Sequence, residues 1–397
     1  MSGGRECRNG RRAGMAAAGI LFLFILSGMR MEAWASEKEE VQEETGKLQQ
    51  EMVDNFDYGD VDKALRELFP EDEPGFKEIL EPVLAGDQKF SLELLWRLVC
   101  RQLTYAFEGS RRNLAHILVL GLIAAVFHHF SNVFGSRQVC EMSFYITYLL
   151  LIALCLNSFQ LVMEWVSGGI EKLTMFMSVF CPVYFLSVSV AKGSVTAVAF
   201  YNLVLFFIYL TEVVIVYFLI PAIHVYIMVK VLDFLSSQEY LSKFAELIEV
   251  MVSWLLKTLV ACTLGFNVVQ GMISPAVDTV KRSAVTRTAE AIPGVGDAIG
   301  GVTEVVFGTA VLVKNGIGVA GMLICLALCI IPLAQTGLVA LMYKLAAALI
   351  QPLSDNRIAG CVECVGDGCR LLMRVSFTAG FLFLLTIAVV SFVTGSV

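Results

Sequence analysis

Beyond residue 113 the chain alternates between long apolar stretches and short polar connections. A membrane-spanning helix needs about 20 consecutive, predominantly apolar residues. The pattern therefore predicts an all-α, polytopic helical membrane protein. The predicted spans are residues 114–130, 144–163, 173–191, 247–269, 305–332, 337–350 and 371–393.

The apolar stretch 195–232 is too long for one simple span. A helix of this length would measure about 57 Å, nearly twice the thickness of a hydrocarbon core. The stretch is either two spans broken near Pro221 or one long tilted helix that leaves the bilayer. The total prediction is therefore seven to nine spans.

The first 35 residues have the three parts of a secretory signal peptide. Four arginines, at positions 5, 8, 11 and 12, precede an apolar run over residues 14–28. Ala33 and Ala35 then supply small residues at the positions that a signal peptidase reads. The alternative is an uncleaved anchor helix.

Residues 36–113 are predicted to form an acidic extracytoplasmic helical segment, followed by a multipass membrane domain over residues 114–397. Each of three helical pieces in the segment has one apolar stripe and too little mass to form a core alone. We expect the pieces to pack on the membrane domain, on the bilayer surface or on a partner. The stripes begin at Val61, at Phe76 and at Leu92.

Composition excludes an ordinary cytosolic enzyme. Hydrophobic residues make up 57% of the 397 residues and charged residues only 16%, with a net charge of -7. The acidity is concentrated in residues 36–112, which hold 19 acidic and 10 basic side chains. No basic face accompanies it, so nucleic-acid binding has no electrostatic support.

The familiar catalytic motifs are missing from the sequence. It contains no G-x-x-x-x-G-K-[ST], H-E-x-x-H or G-x-S-x-G pattern, and we therefore predict a non-enzymatic protein without a cofactor. Cys361, Cys364 and Cys369 form a cluster between two predicted spans. A zinc site usually needs four ligands, and no histidine lies nearby in sequence, so no metal site is predicted.

Two glycine-rich runs are interpreted structurally rather than as phosphate-binding loops. Gly316, Gly318 and Gly321 match G-x-G-x-x-G inside an apolar stretch, where small residues let helices approach closely. A second run favours a hinge or a re-entrant turn. Its glycines are Gly294, Gly296 and Gly300.

Charged residues inside apolar stretches need a partner or a wet cavity. Glu212 and Lys314, the latter followed by Asn315, are either members of buried ion pairs or part of a transport pathway. Another set shares one helical face, which either lines a polar lumen or lies at the membrane interface with its lysine reaching out to water. That set is Glu246, Glu249, Ser253 and Lys257.

Three strings in the C-terminal half resemble the stage III sporulation protein AE family of endospore-forming Firmicutes. They are GFNVVQGMISPAVDTVKRSAVTRTAEAIPGVGDAIGG at 265–301, LVKNGIGVAG at 312–321 and IQPLSDNRIAGC at 350–361. None of the three is a catalytic motif. The order of signal peptide, acidic segment and spans is similar as well.

The resemblance implies a sporulation role in the mother-cell membrane around the forespore. Members of the family belong to a channel, or feeding-tube, complex with a separate ATPase and ring-forming proteins, and this complex supports the forespore after engulfment. The segment 36–113 would then face the space between the two membranes. The competing hypothesis is an autonomous secondary transporter, motivated by Glu212, Lys257, Lys314 and the glycine-interrupted helices.

Overall fold

The structure is a computed structural model that describes residues 47–69, 75–85, 137–192, 196–235, 241–289, 296–352 and 356–395, with scattered positions between 96 and 126. Regular secondary structure in these residues is entirely helical, as predicted. The predicted signal peptide, most of the third helical piece and about half of the first predicted span lie outside the described residues.

Two short helices precede a set of long apolar ones. Five helices in the described part of the chain are long and apolar enough to cross a membrane, in keeping with the predicted membrane protein. A π-helical turn, Ile215–Leu219, joins α4 to α5. The α-helices are α1 (Gly59–Leu68), α2 (Phe76–Leu84), α3 (Arg137–Lys192), α4 (Thr196–Val214), α5 (Ile220–Leu235), α6 (Ser242–Ala289), α7 (Gly296–Ile350) and α8 (Asn356–Gly395).

The predicted count of seven to nine spans is not confirmed in the described residues. The predicted spans 144–163 and 173–191 are parts of one helix, α3, and 305–332 and 337–350 are parts of α7. Gly168 and Gly169 lie between the first two, but they do not break the helix. A Cβ on Gly169 would lie 3.0 Å from Pro332 Cγ, so glycine there serves close packing between α3 and α7.

The ambiguous stretch around Pro221 is one continuous helical element. A proline within a helix has no N–H for the carbonyl four residues earlier, and its ring crowds that carbonyl. The turn before Pro221 is π-helical, and Ile220 N–H donates to the carbonyl of Ile215, five residues back. This wider turn accommodates the proline without a break.

Helices α3, α7 and α8 pack along their lengths, with α7 antiparallel to the other two. Gly169 of α3 faces Pro332 while Gly318 faces Tyr184, and Gly366 of α8 lies against Lys344. Two cores result from this packing. The first core contains Tyr148, Phe159, Tyr226, Tyr343 and Val375. The second core contains Phe76, Phe176, Phe180, Tyr184 and Phe383.

The N-terminal helices dock on the membrane domain, the first of the three arrangements expected from their apolar stripes. Phe76 N–H donates to Asp62 Oδ1 at 2.7 Å, which ties the start of α2 to α1. The Phe76 ring then packs on Tyr58, with centroids 5.1 Å apart, and on Phe180 of α3, at 6.2 Å. Polar α1 and α2 therefore bury their stripes in the second core.

We expect Gly321→Ala to destabilise the protein by about 1–3 kcal/mol through overpacking. The new Cβ would lie 2.6 Å from Phe180 Cε1. The ring cannot shift freely, because it is stacked between Phe176 and Tyr184 at centroid distances of 5.3 and 5.5 Å. Thermal unfolding of the protein in detergent measures the effect.

Gly308→Ala on the same helix is the matched control. Nothing lies within 4 Å of a Cβ added there, so the alanine should leave the melting temperature unchanged or raise it. Equal melting temperatures for the two variants would contradict the close approach of α3 and α7.

Below pH 10, Tyr58→Phe should leave the docking of the N-terminal helices intact. Above pH 10, docking in this variant should be more stable than docking in the wild type. The Tyr58 hydroxyl is buried without a hydrogen-bond partner among the described residues. Burial and the nearby Asp54 carboxylate raise the pKa of Tyr58 above its ordinary value of 10.0. The unfolded state therefore loses this proton first, and the stability that Tyr58 contributes declines as the pH rises beyond that value.

Proteolysis of the N-terminal segment in purified protein, from about pH 8 to pH 11, tests the effect of this phenol. Wild type should lose protection at the alkaline end, and Tyr58→Phe should keep it. Tyr58→Ala should lose protection at every pH, because removing a buried aromatic side chain costs about 3–5 kcal/mol. Identical alkaline profiles for wild type and Tyr58→Phe would contradict the burial of an unpaired phenol.

Candidate functional site

The polar residues singled out from the sequence do not form one site. Lys314 lies among residues of the second core, whereas Glu249 has first-core residues on either side of it along α6. Glu212 of α4 is half-buried and close enough to Glu171 of α3 for their charges to interact. Ser253 and Asn315 are half-buried, and Lys257 is exposed.

Lys314 has a fully buried side chain, with 0% exposure. It is not isolated, because it takes part in a polar or electrostatic contact. A buried lysine is stable in its charged form only when a partner compensates its desolvation. Its position inside the second core favours the structural one of the two sequence interpretations.

The α6 face predicted as a possible lumen lining is mixed in character. Glu246 pairs with Lys243 at 2.8 Å, and both side chains are exposed. Between them and Lys257, the large apolar side chains Leu247 and Trp254 are 61% and 65% exposed. A surface that interleaves charges with exposed apolar groups favours the interfacial interpretation over a continuous polar lining.

The predicted packing glycines lie where α7 meets its neighbours. Gly316 approaches Leu84 of α2, Gly318 lies 3.1 Å from Tyr184 as measured from an added Cβ, and Gly321 meets Phe180. The predicted hinge glycines lie elsewhere, at or before the start of α7. Gly296 and Gly300 lie in the first two turns of α7, and Gly294 lies outside the described residues.

The three clustered cysteines are all buried thiols of α8. Cys361 lies within hydrogen-bonding reach of Cys155 on α3. The described residues contain no group of three or more side chains arranged to hold a metal ion. This thiol pair links α3 to α8 in the first core, and its surroundings are those of a buried small hydrophobe.

The structure reveals a polar surface that the sequence interpretation missed. We call it the α3 stripe. Its members follow one another at intervals of three or four residues, and all are exposed except the half-buried serine. Gln160 Nε2 donates to Glu164 Oε1 at 3.2 Å, and Ser167 Oγ donates to Glu171 Oε1 at 3.4 Å. The α3 stripe consists of Asn157, Gln160, Glu164, Ser167 and Glu171.

The predicted break after residue 163 hid this surface, since it assigned Glu164 and Glu171 to a loop. The 3–4 spacing was the available signal, and it becomes visible once the helix is known to continue. The other side chains of α3 are mostly apolar; many are buried in the two cores, whereas others, such as Ile146, Leu150 and Leu186, are exposed. The α3 stripe is therefore a polar strip on an otherwise apolar helix.

A second polar group bridges α7 and α8. Lys344 Nζ lies 3.2 Å from Asp367 Oδ1 and 3.8 Å from Glu363 Oε1. Arg370 Nη2 approaches the same Asp367 oxygen at 3.5 Å. Because the pairs satisfy one another, this ion-pair network can hold the two helices together without an external ligand.

Comparison with known proteins gives matches to sporulation proteins. The family described as Stage III sporulation protein AE matches residues 75–394, which include α2 and nearly all of α8. Stage III sporulation protein AE of Bacillus subtilis (strain 168) is 23% identical over 361 residues, which are 90% of each chain. No solved structure matches.

Asp367→Asn should lower the free energy of unfolding by about 1 kcal/mol, because the carboxylate joins two cations. Glu363→Gln is the control, since its single contact is longer and its side chain is 58% exposed against 23% for Asp367. We expect that control to change stability by about 0.2 kcal/mol. Denaturant unfolding in detergent gives both values, and the reverse ranking would contradict a network centred on Asp367.

Proposed function

The chain belongs to the stage III sporulation protein AE family, and from that premise we propose that it is a non-enzymatic membrane component of the channel complex linking mother cell and forespore. Family membership supports a role in sporulation, and the five apolar helices are those of a multipass membrane protein. In the proposed role the protein is needed for forespore development after engulfment.

One observation carries the proposal, namely that the family match extends over nearly the whole described fold. The match begins at residue 75, just before α2, and ends at residue 394, near the end of α8. It therefore includes five of the six helices whose buried residues form the second core, not a single shared span. The similarity to the family therefore extends over all five of the long apolar helices that the structure describes.

The exposed polar side of α1 and α2 is the proposed location for partner docking. Two exposed ion pairs suit an aqueous surface: Lys63 with Asp60 of α1 at 3.0 Å, and Lys77 of α2 with Asp54, which precedes α1, at 2.7 Å. We propose that this surface faces the space between the two membranes. The ATPase and the ring-forming proteins of the complex would be its partners, and the ATPase would supply energy to a chain without a P-loop.

The alternative, an autonomous secondary transporter, has less support. Transporter sites are typically formed at interrupted helices, whose unwound backbone binds substrate or ions. In the described residues α7 continues through Gly316 and Gly321, and α4 continues through the π-turn into α5. These observations favour a packing role for Gly316 and Gly321, and a π-turn that accommodates Pro221, over an unwound binding site.

Deletion of the gene should arrest sporulation after engulfment and leave vegetative growth unchanged, with the full chain restoring spores. Heat-resistant spore counts and fluorescence microscopy of engulfed forespores measure this. Normal spores from a clean deletion would contradict the proposal.

A pull-down of tagged full-length protein, crosslinked gently at engulfment, should recover the sporulation ATPase and ring-forming proteins. Mass spectrometry identifies them, and tagged protein from vegetative cells is the control. Recovery of the chain alone would favour the transporter alternative, which purified protein in liposomes then tests by solute flux.

A further inference from the structure

We propose that a small cavity between α4, α6 and α8 binds a single water molecule, which bridges the three helices and attaches the C-terminal part of α6 to its neighbours. We call it the threonine cavity, because each of these helices contributes a threonine to its lining. The three are Thr211 of α4, Thr263 of α6 and Thr386 of α8. The inference does not depend on the proposed channel-complex function.

The inward face of α6 changes from apolar to polar along the helix. The buried side chains that the structure describes on α6 follow one another at intervals of three, four or seven residues, which places them on one face. They are Ala245, Ile248, Val252 and Leu256, which pack in the first core, followed by Thr263 and Asn267, which are 6% and 1% exposed. The second part of this face therefore needs hydrogen bonds, whereas the first part needs only apolar packing.

The two polar residues of this face lack hydrogen-bond partners within the described part of the chain. Asn267 Oδ1 and Nδ2 are both buried and unpaired. The Thr263 hydroxyl is unpaired as well, whereas Thr258 Oγ1 donates to the carbonyl of Trp254 at 3.0 Å. Residues four apart are neighbours on a helix, so the Asn267 amide lies next to Thr263. Buried polar groups without a partner are costly in native proteins, and they commonly mark a bound water or ion.

The other two threonines present hydrogen-bond acceptors to the cavity. Thr211 Oγ1 donates to the carbonyl of Phe207 at 2.8 Å, and Thr386 Oγ1 donates to the carbonyl of Leu382 at 2.9 Å. A hydroxyl has one proton and two lone pairs, so both oxygens can still accept. Water can donate to both of them and accept from the Thr263 hydroxyl. Its hydrogen-bonding capacity therefore matches what the three side chains leave open.

Size and charge favour water over other small ligands. The threonine cavity has room for about one water molecule. None of the described side chains that line it is charged, and a dehydrated cation without a compensating charge is strongly disfavoured. An apolar ligand would leave the Thr263 hydroxyl unpaired. The other walls are apolar, and two of them are the rings of Phe207 and Phe266, stacked with centroids 4.2 Å apart.

X-ray radiolysis of the purified full-length protein in detergent tests for the bound water. Radicals formed from a bound water hydroxylate the side chains beside it, and mass spectrometry gives the rate at each residue. Phe383 lines the threonine cavity and is 2% exposed. The matched controls are Phe159 and Phe176, which are 0% exposed and do not line the cavity. Phe383 should be hydroxylated at least about fivefold faster than both, because packed protein lacks a bound water as a radical source.

A variant at the cavity and a variant outside it separate bound water from other sources of radicals. Thr263→Val removes the hydroxyl and should lower the rate at Phe383 to that of the controls. Thr258→Val, on the same helix but outside the cavity, should leave the rate unchanged. Equal rates at Phe383 and the two control phenylalanines in the wild type would overturn the proposal, since the cavity would then be dry or filled by detergent. This comparison needs no variant, so it stands even if Thr263→Val fails to fold.

Thermal unfolding of a double variant tests the bridge between helices. Thr263→Val and Thr386→Val should each lower the melting temperature. If the two hydroxyls share one water, the double variant should lose no more than about half of the sum of the two single shifts. Thr258→Val combined with Thr386→Val is the control, and its shifts should add. Additive shifts for Thr263→Val with Thr386→Val would overturn the bridge.

Exchange of sodium for choline in the buffer distinguishes water from a small cation. A ligand that binds only the folded protein stabilises it as its concentration rises. The melting temperature of the wild type should be the same in both salts, since a water site binds neither cation. A higher melting temperature in sodium that Thr263→Val abolishes would identify a cation site and overturn the assignment of water.

Discussion

The close contact between α3 and α7 is the constraint on which the rest of the structure depends. It runs through both cores and is possible because glycines replace side chains where the helices meet, at Gly169 against Pro332 and at Gly321 against Phe180. Phe180, held in an aromatic stack, is then the surface on which Phe76 docks the N-terminal helices. In a medium where lipid competes equally for apolar side chains, such close packing replaces the hydrophobic effect as the source of helix association.

Much of the fold could be predicted from the sequence, because hydropathy and helical periodicity depend on local composition. The apolar stripes that begin at Val61 and Phe76 are helices with those residues buried, and the long apolar stretches are helical where the structure describes them. Helix continuity could not be predicted in the same way. Glycine pairs and prolines, such as Gly168–Gly169 and Pro221, commonly mark the ends or kinks of helices. Whether they do so depends on the side chains that pack against them, and these are known only from the tertiary structure.

The candidate site was predicted less well for the same reason. The sequence search selected charges inside apolar stretches, and it therefore found Lys314, whose burial favours a structural role. It passed over Glu164 and Glu171, because a short polar run between two apolar stretches usually forms a loop. Once α3 is one helix, the same residues become exposed positions along one face of that helix. The missed continuity of α3 thus also left these residues out of the candidate list.

Three charged groups on the described long helices have different environments. Lys314 is enclosed by the second core, and Asp367 is held between Lys344 and Arg370. In both cases the protein itself compensates the desolvation of the charge. The carboxylates of the α3 stripe have only weak bonds from residues four positions earlier on the same helix. Because these carboxylates lie on the exposed face of α3, their remaining acceptor sites are open to water or to another chain, in contrast to the two enclosed charges.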